Sequence, residues 1–144
     1  MPARIAALVA VILLFVPGLG RAADSLSEGD RAAIRQVIES QLDAFRRDDG
    51  AAAYGFATTM IQEKFGTAEH FMSMVRTGYP AVYRPKAVDF REHASDDAMG
   101  VVQKVFFIGP DGKGVLAFYQ MERQPDGSWK INGCFVTVAP DTSV

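Results

Sequence analysis

The sequence holds a single cysteine, Cys134. No disulfide can form within the chain, so its fold must rest on an apolar core alone. Nor is a histidine or a helix start placed beside Cys134 to lower its pKa. The thiol therefore reads as a small buried hydrophobe rather than a nucleophile. There are two histidines, His70 and His93, far apart and without the Cys or Asp neighbours that make a metal-ligand pattern. No metal and no cofactor are expected. The formal net charge is −2, which leaves no basic footprint for nucleic acid. No low-complexity stretch or linker divides the 144 residues, whose length suits one domain.

An apolar run of about 20 residues, as a membrane span needs, is also missing. The longest run, residues 5–16, is too short. It follows Arg4 and precedes Pro17-Gly18-Leu19-Gly20-Arg21-Ala22. A positive charge, a short apolar stretch, a helix breaker and small residues make the order of a secretory signal peptide. Residues 1–22 are expected to be removed, leaving residues 23–144 as a single domain. The expected destination is outside the cytoplasm, in a periplasm or beyond the cell, with no membrane attachment after cleavage.

What the sequence does have is strongest in its last third. Three runs rich in Val, Ile, Phe, Tyr and Trp span residues 101–108, 114–123 and 129–139. Pro110-Asp111-Gly112-Lys113 and Pro125-Asp126-Gly127-Ser128 join them. Proline presets the first turn dihedral and glycine supplies the positive φ that closes a hairpin. The pattern predicts a three-stranded antiparallel meander. Residues 86–94 alternate and add a strand before it, with Val88 and Phe90 on one side and Asp89, Arg91 and His93 on the other.

Helices precede the strands. Ser25 or Ser27 can cap the first, and Ile34, Val37, Ile38, Leu42 and Phe45 recur at helical spacing. Gln41 interrupts this stripe, so its amide needs either a backbone partner or a pocket. Residues 51–56 read as a short helix. Thr58 or Thr59 and then Thr67 cap two more, and Tyr79-Pro80 closes the last. Residues 81–84 read as an extended piece. Helices followed by strands give an α+β fold with the helices on one face of an antiparallel sheet.

Alternation splits the strands into two faces. Val105, Phe107, Ala117, Tyr119, Met121, Trp129, Ile131 and Phe135 are expected to meet the helices. Gln41, Gln103, Tyr119 and Trp129 bring polar tips to that side and are candidates to line a ligand pocket. Phe106, Leu116, Phe118 and Val136 on the opposite face make an apolar patch that points to a homodimer. Gly133 lies inside the last strand, where a bulge would switch the alternation after it.

The run Ile38-Glu39-Ser40-Gln41-Leu42-Asp43-Ala44-Phe45 followed by Asp48-Asp49 resembles the opening helix of the nuclear transport factor 2-like (cystatin-like) superfamily. Met74-Val75-Arg76-Thr77-Gly78-Tyr79-Pro80, Tyr119-Gln120-Met121-Glu122-Arg123 and Asp126-Gly127-Ser128-Trp129-Lys130-Ile131-Asn132-Gly133-Cys134 resemble the bacterial family called domain of unknown function 4864. The resemblance runs from about Leu26 to Val138. It implies a strongly curved sheet wrapped on a long helix, a pocket at the open end and frequent dimers through the sheet. It implies no activity. Enzymes of that superfamily place a carboxylate or histidine in the cone, as base chemistry requires. The apolar face here carries no carboxylate, and His93 is the candidate base. Two functions follow from different classes: a non-catalytic module that binds a small apolar ligand or a protein, and a pocket enzyme of isomerase or hydratase type. A structural role through the homodimer is a third.

Overall fold

The computed structural model describes residues 26–139. The expected signal peptide, residues 1–22, lies outside the described residues. Among those described, no helix is long and apolar enough to cross a membrane.

Five helices come first: α1 (Glu28–Arg46), α2 (Gly50–Gly55), α3 (Thr59–Phe65), α4 (Ala68–Gly78) and α5 (Pro80–Tyr83). Four strands follow: β1 (Ala87–Asp96), β2 (Gly100–Ile108), β3 (Gly114–Arg123) and β4 (Trp129–Val138). They pair in sequence order as one curved antiparallel sheet, so the chain is α+β.

A reciprocal capping box starts α1. The Ser27 hydroxyl accepts from Asp30 N–H at 3.0 Å, and the Asp30 carboxylate accepts from Ser27 N–H at 3.3 Å. Such a box satisfies two of the orphan donors at a helix start. Ile34 and Ile38 are fully buried and Leu42 and Phe45 nearly so, while Arg35 and Glu39 pair on the wet side at 2.8 Å. Thr58 and Thr67 cap α3 and α4 as their positions predict. Residues 81–84 differ from expectation. The first three of them belong to the short helix α5, not to an extended piece, because Pro80 sits at its first position, and Arg84 is its C-cap. Proline there ends one helix and starts the next, since the N–H it lacks would be unpaired anyway.

The sheet turns its inner face to α1. Val105, Phe107 and Ala117 are fully buried there, with Tyr119, Met121, Trp129 and Ile131 beside them. Gly112 and Gly127 adopt φ 80° and 86° in the two Pro-Asp-Gly turns.

Each edge strand carries a bulge. On β1 the register slips between Phe90, opposite Val105, and His93, opposite Gln103. On β4 it slips where Gln120 faces Gly133 but Met121 faces Ile131. A bulge moves every later side chain to the other face. Two expectations are corrected by this. His93 joins Val88 and Phe90 on the inner side, opposite Gln103. On β4, Cys134 and Val136 pair with the inward Tyr119 and Ala117, while Phe135 pairs with the outward Phe118. Val136 therefore leaves the outer patch and Phe135, 54% exposed, takes its place there.

This face assignment has a measurable consequence. Phe107→Ala should lower the unfolding free energy by about 3–5 kcal/mol, as for an aromatic core truncation. Phe135→Ala should change it by no more than about 0.5 kcal/mol, as for a surface site. Urea unfolding of the two variants reads both values; a large loss for Phe135→Ala would mean that β4 is not bulged.

Candidate functional site

Between α3, α4 and the bulged half of β4 lies an open-mouthed cavity of about 420 Å³. Gln41 and Phe45 of α1 and Tyr119 of β3 line it. So do Ile61 and Phe65 of α3, Met74 and Val75 of α4 and residues 131–135 of β4. Phe71 closes one wall against Phe65 and Tyr54, each with its ring centroid 5.6 Å away, and against Phe45 at 6.3 Å. The volume lies within the range of small-molecule sites, and the lining is as apolar as such sites are.

The link from α2 to α3 holds the mouth in place. Ile131 N–H donates to Phe56 O at 2.9 Å, and Thr58 N–H donates to Ile131 O at 2.9 Å. The Thr58 hydroxyl donates to Asn132 Oδ1 at 2.7 Å, which anchors the bulge itself. Gln62 Nε2 donates to Tyr54 O at 3.0 Å and Ala57 O at 3.3 Å, and the Tyr54 hydroxyl donates to Gln62 O. Across the mouth, the Tyr79 hydroxyl donates to Cys134 O at 2.9 Å.

The polar groups inside divide into the paired and the unpaired. Gln41 Nε2 donates to Ala53 O at 3.1 Å, so this amide fixes α2 against α1 while it also lines the cavity. Tyr119 is 1% exposed, and its hydroxyl has no hydrogen-bond partner of sound geometry. The Cys134 thiol is near enough for each group to perturb the other. Burial pushes the Cys134 thiol up to about 12, with the Tyr119 hydroxyl pulling it partly back. Burial, then Cys134, holds Tyr119 well above the ordinary phenol value. Both stay protonated at neutral pH. Lys64 is the one charged residue on the lining, and it is exposed.

Of the four residues expected in a pocket, Gln41 and Tyr119 meet here. Gln103 does not. Its Nε2 donates to Arg91 O at 2.7 Å and Lys104 O at 2.8 Å, which satisfies the backbone where β1 bulges. Trp129 lies towards the start of α1, under the Arg123 guanidinium at 4.6 Å, and Arg123 is paired to Asp30 at 2.8 Å. His93 stands on the inner side of β1, outside the cavity lining. Burial, then the charge of Arg31, lowers its pKa, and a side-chain hydrogen bond with Gln103 opposes them. The outer residues Phe106, Leu116 and Phe118 are half-buried within one chain, with Arg91 over the Phe106 ring at 5.1 Å. Sequence reasoning missed the α3 wall of the cavity. Met60, Ile61 and Phe65 form a recognisable apolar patch, but nothing in their spacing places it over β4. Among the described residues no group of three or more His, Cys, Asp or Glu could hold a metal ion.

The buried Tyr119 and the half-buried Cys134 set an alkaline stability profile. Each binds its proton more tightly in the folded chain than in the unfolded one. Their contribution is whole below the ordinary thiol pKa of about 8.5 and is lost as pH rises. The unfolding free energy should fall by about a kcal/mol for each pH unit above that value. Cys134→Ala should remove the first part of the fall and Tyr119→Phe the part above about pH 10, where an ordinary phenol ionises. Urea titrations across this range measure the slopes; equal slopes in wild type and both variants would show that neither group is buried as described.

No curated protein matches the chain. Among solved structures, ActVI-ORFA from Streptomyces coelicolor is similar in fold, with a TM-score of 0.50 and 16% identity over 83% of this chain and 100% of that one. That protein has the nuclear transport factor 2-like fold. A family model described as "Domain of unknown function (DUF4864)" matches residues 27–144, the whole of the helices and sheet described above. The chain therefore belongs to the DUF4864 family, on a nuclear transport factor 2-like fold.

Proposed function

We propose that the protein is an exported, non-catalytic binding module. Its ligand is a small, mostly apolar molecule with one hydrogen-bond acceptor at the end that reaches Tyr119. The observation that carries this reading is the Tyr119 hydroxyl, buried on the wall of an apolar cavity with only the weakly accepting Cys134 thiol beside it and no partner of sound geometry. Leaving such a donor unpaired costs about 1–3 kcal/mol, and an acceptor on a bound molecule would recover it. Because its pKa is raised, the hydroxyl presents a neutral donor at any physiological pH. The rest of the lining contributes shape and apolar contact. Export rests on the pattern of residues 1–22.

The isomerase or hydratase reading needs a base inside the cavity. No carboxylate or histidine is among the residues that line it, and His93 stands outside. This favours binding over turnover.

Native mass spectrometry of protein purified from cells expressing the full chain should show a retained small molecule. Displacement of an apolar fluorescent dye then gives affinities. Met74→Trp, which fills the cavity, should weaken dye binding at least about tenfold. Tyr119→Phe should weaken acceptor-bearing ligands by about threefold to tenfold, the worth of one hydrogen bond, and leave a plain hydrocarbon unaffected. A protein with no retained molecule, and dye binding unmoved by Met74→Trp, would overturn the proposal.

A further inference from the structure

β4 is one of the two edges of the sheet, and its outward side is covered for only part of its length. Ile131 exchanges both backbone hydrogen bonds with the α2–α3 link, and Cys134 O accepts from the Tyr79 hydroxyl. Beyond Cys134 the covering stops. Ala139 N–H donates to Gly114 O of β3 at 3.0 Å. By the alternation of an antiparallel ladder, the N–H and C=O of Val136 and Val138 then point away from β3. Among the described residues nothing bonds these four groups.

The side chains repeat the pattern. The large apolar residues most open to water among those described are Met60, Phe135, Val136 and Val138, the last 80% exposed. Three of them sit on this stretch. Residues 131–139 carry no charge. Val136 also lines a groove of about 400 Å³ between Pro80, Ala81, Pro110 and Asp111. Edge strands are ordinarily blunted by charge, bulges or proline. The other edge, β1, is blunted in that way, with a bulge and the charges of Asp89, Arg91 and Glu92.

We propose that β4 pairs antiparallel with β4 of a second copy about a two-fold axis at Thr137, joining the two sheets into one. Val136 of each copy then exchanges backbone hydrogen bonds with Val138 of the other, which uses all four open groups. A run of alternate donors and acceptors is its own complement under a two-fold axis, so the contact is isologous and closes at two copies. The absence of charge on residues 131–139 removes the like-charge penalty that self-pairing would otherwise meet. The blunted β1 edge keeps the pairing from propagating into a filament. Val138 of the second copy comes to lie beside Val136, on the open side of the groove. Pro140 has no N–H to carry the ladder further. Half-burial of Phe106, Leu116 and Phe118 within one chain leaves the sheet face less in need of cover than this edge. The proposal is independent of what the cavity holds.

Sedimentation equilibrium on protein purified from cells expressing the full chain tests it. The wild type should have twice the mass of one chain at micromolar concentration. Thr137 residues directly opposite each other, as a non-hydrogen-bonded pair, have Cα atoms about 4.5 Å apart. Thr137→Lys alone and Thr137→Asp alone should each weaken the dimer at least about tenfold, and an equal mixture of the two should restore it. Val138→Pro should give a folded monomer by circular dichroism, because the N–H it removes makes no bond to β3. A monomeric wild type would overturn the proposal. So would a dimer indifferent to Thr137→Lys, a Lys and Asp mixture that stays monomeric, or a dimer lost with Phe118→Lys but kept with Val138→Pro.

Discussion

Everything in this fold depends on keeping one face of the sheet against α1 while both edge strands carry an extra residue. A strand has a side-chain period of two, so a single inserted residue exchanges its faces. On β1 the insertion brings His93 round beside Gln103. On β4 it turns Cys134 inward and Phe135 outward. The inner strands β2 and β3 keep an unbroken register, and the core of Val105, Phe107, Ala117 and Tyr119 is built on them. Regular strands supply the packing, and irregular ones shape the rim.

A bulge leaves backbone groups without ladder partners, and each bulge here is backed by a polar side chain from elsewhere. Gln103 reaches the freed carbonyl of Arg91. Thr58 holds Asn132. Gln41 performs the same task between two helices, on Ala53. Polar residues that look like ligand contacts in the sequence thus belong, in large part, to the backbone. Tyr119 differs because its hydroxyl reaches no backbone group and has only the Cys134 thiol near it. That difference, and not polarity as such, separates a binding group from a structural one in this cavity.

Much of this architecture was legible in the sequence because it rests on local chemistry. Gly112 and Gly127 take the positive φ that their turns require, and Ile34, Ile38, Leu42 and Phe45 fall on one side of α1. Gly133 signalled a bulge in β4. The β1 bulge gave no such sign, since neither Arg91 nor Glu92 is a turn former. It is set by tertiary packing through Gln103, at a distance that no local pattern spans. Pro80 read as a stop, but the same ring also begins α5. The cavity was half legible: Gln41 and Tyr119 could be placed on the inner side, whereas the wall formed by α3 depends on the hydrogen bonds of Ile131 with Phe56 and Thr58, which are far from it in sequence.

The β4 bulge also governs how the chain can change in length. A residue gained or lost in the Pro-Asp-Gly turns alters a loop. Loss of Asn132, the extra residue of the bulge, would instead restore strict alternation and leave the pairs on either side of it, Ile131 with Met121 and Gly133 with Gln120, as they are. Cys134 would stay opposite Tyr119 and Phe135 opposite Phe118, because the bulge lets the strand give up one residue without exchanging its faces. A second deletion would find no bulge to absorb it and would act like a row of simultaneous substitutions. β4 thus carries one spare residue, held in place by the hydrogen bond from Thr58 to Asn132.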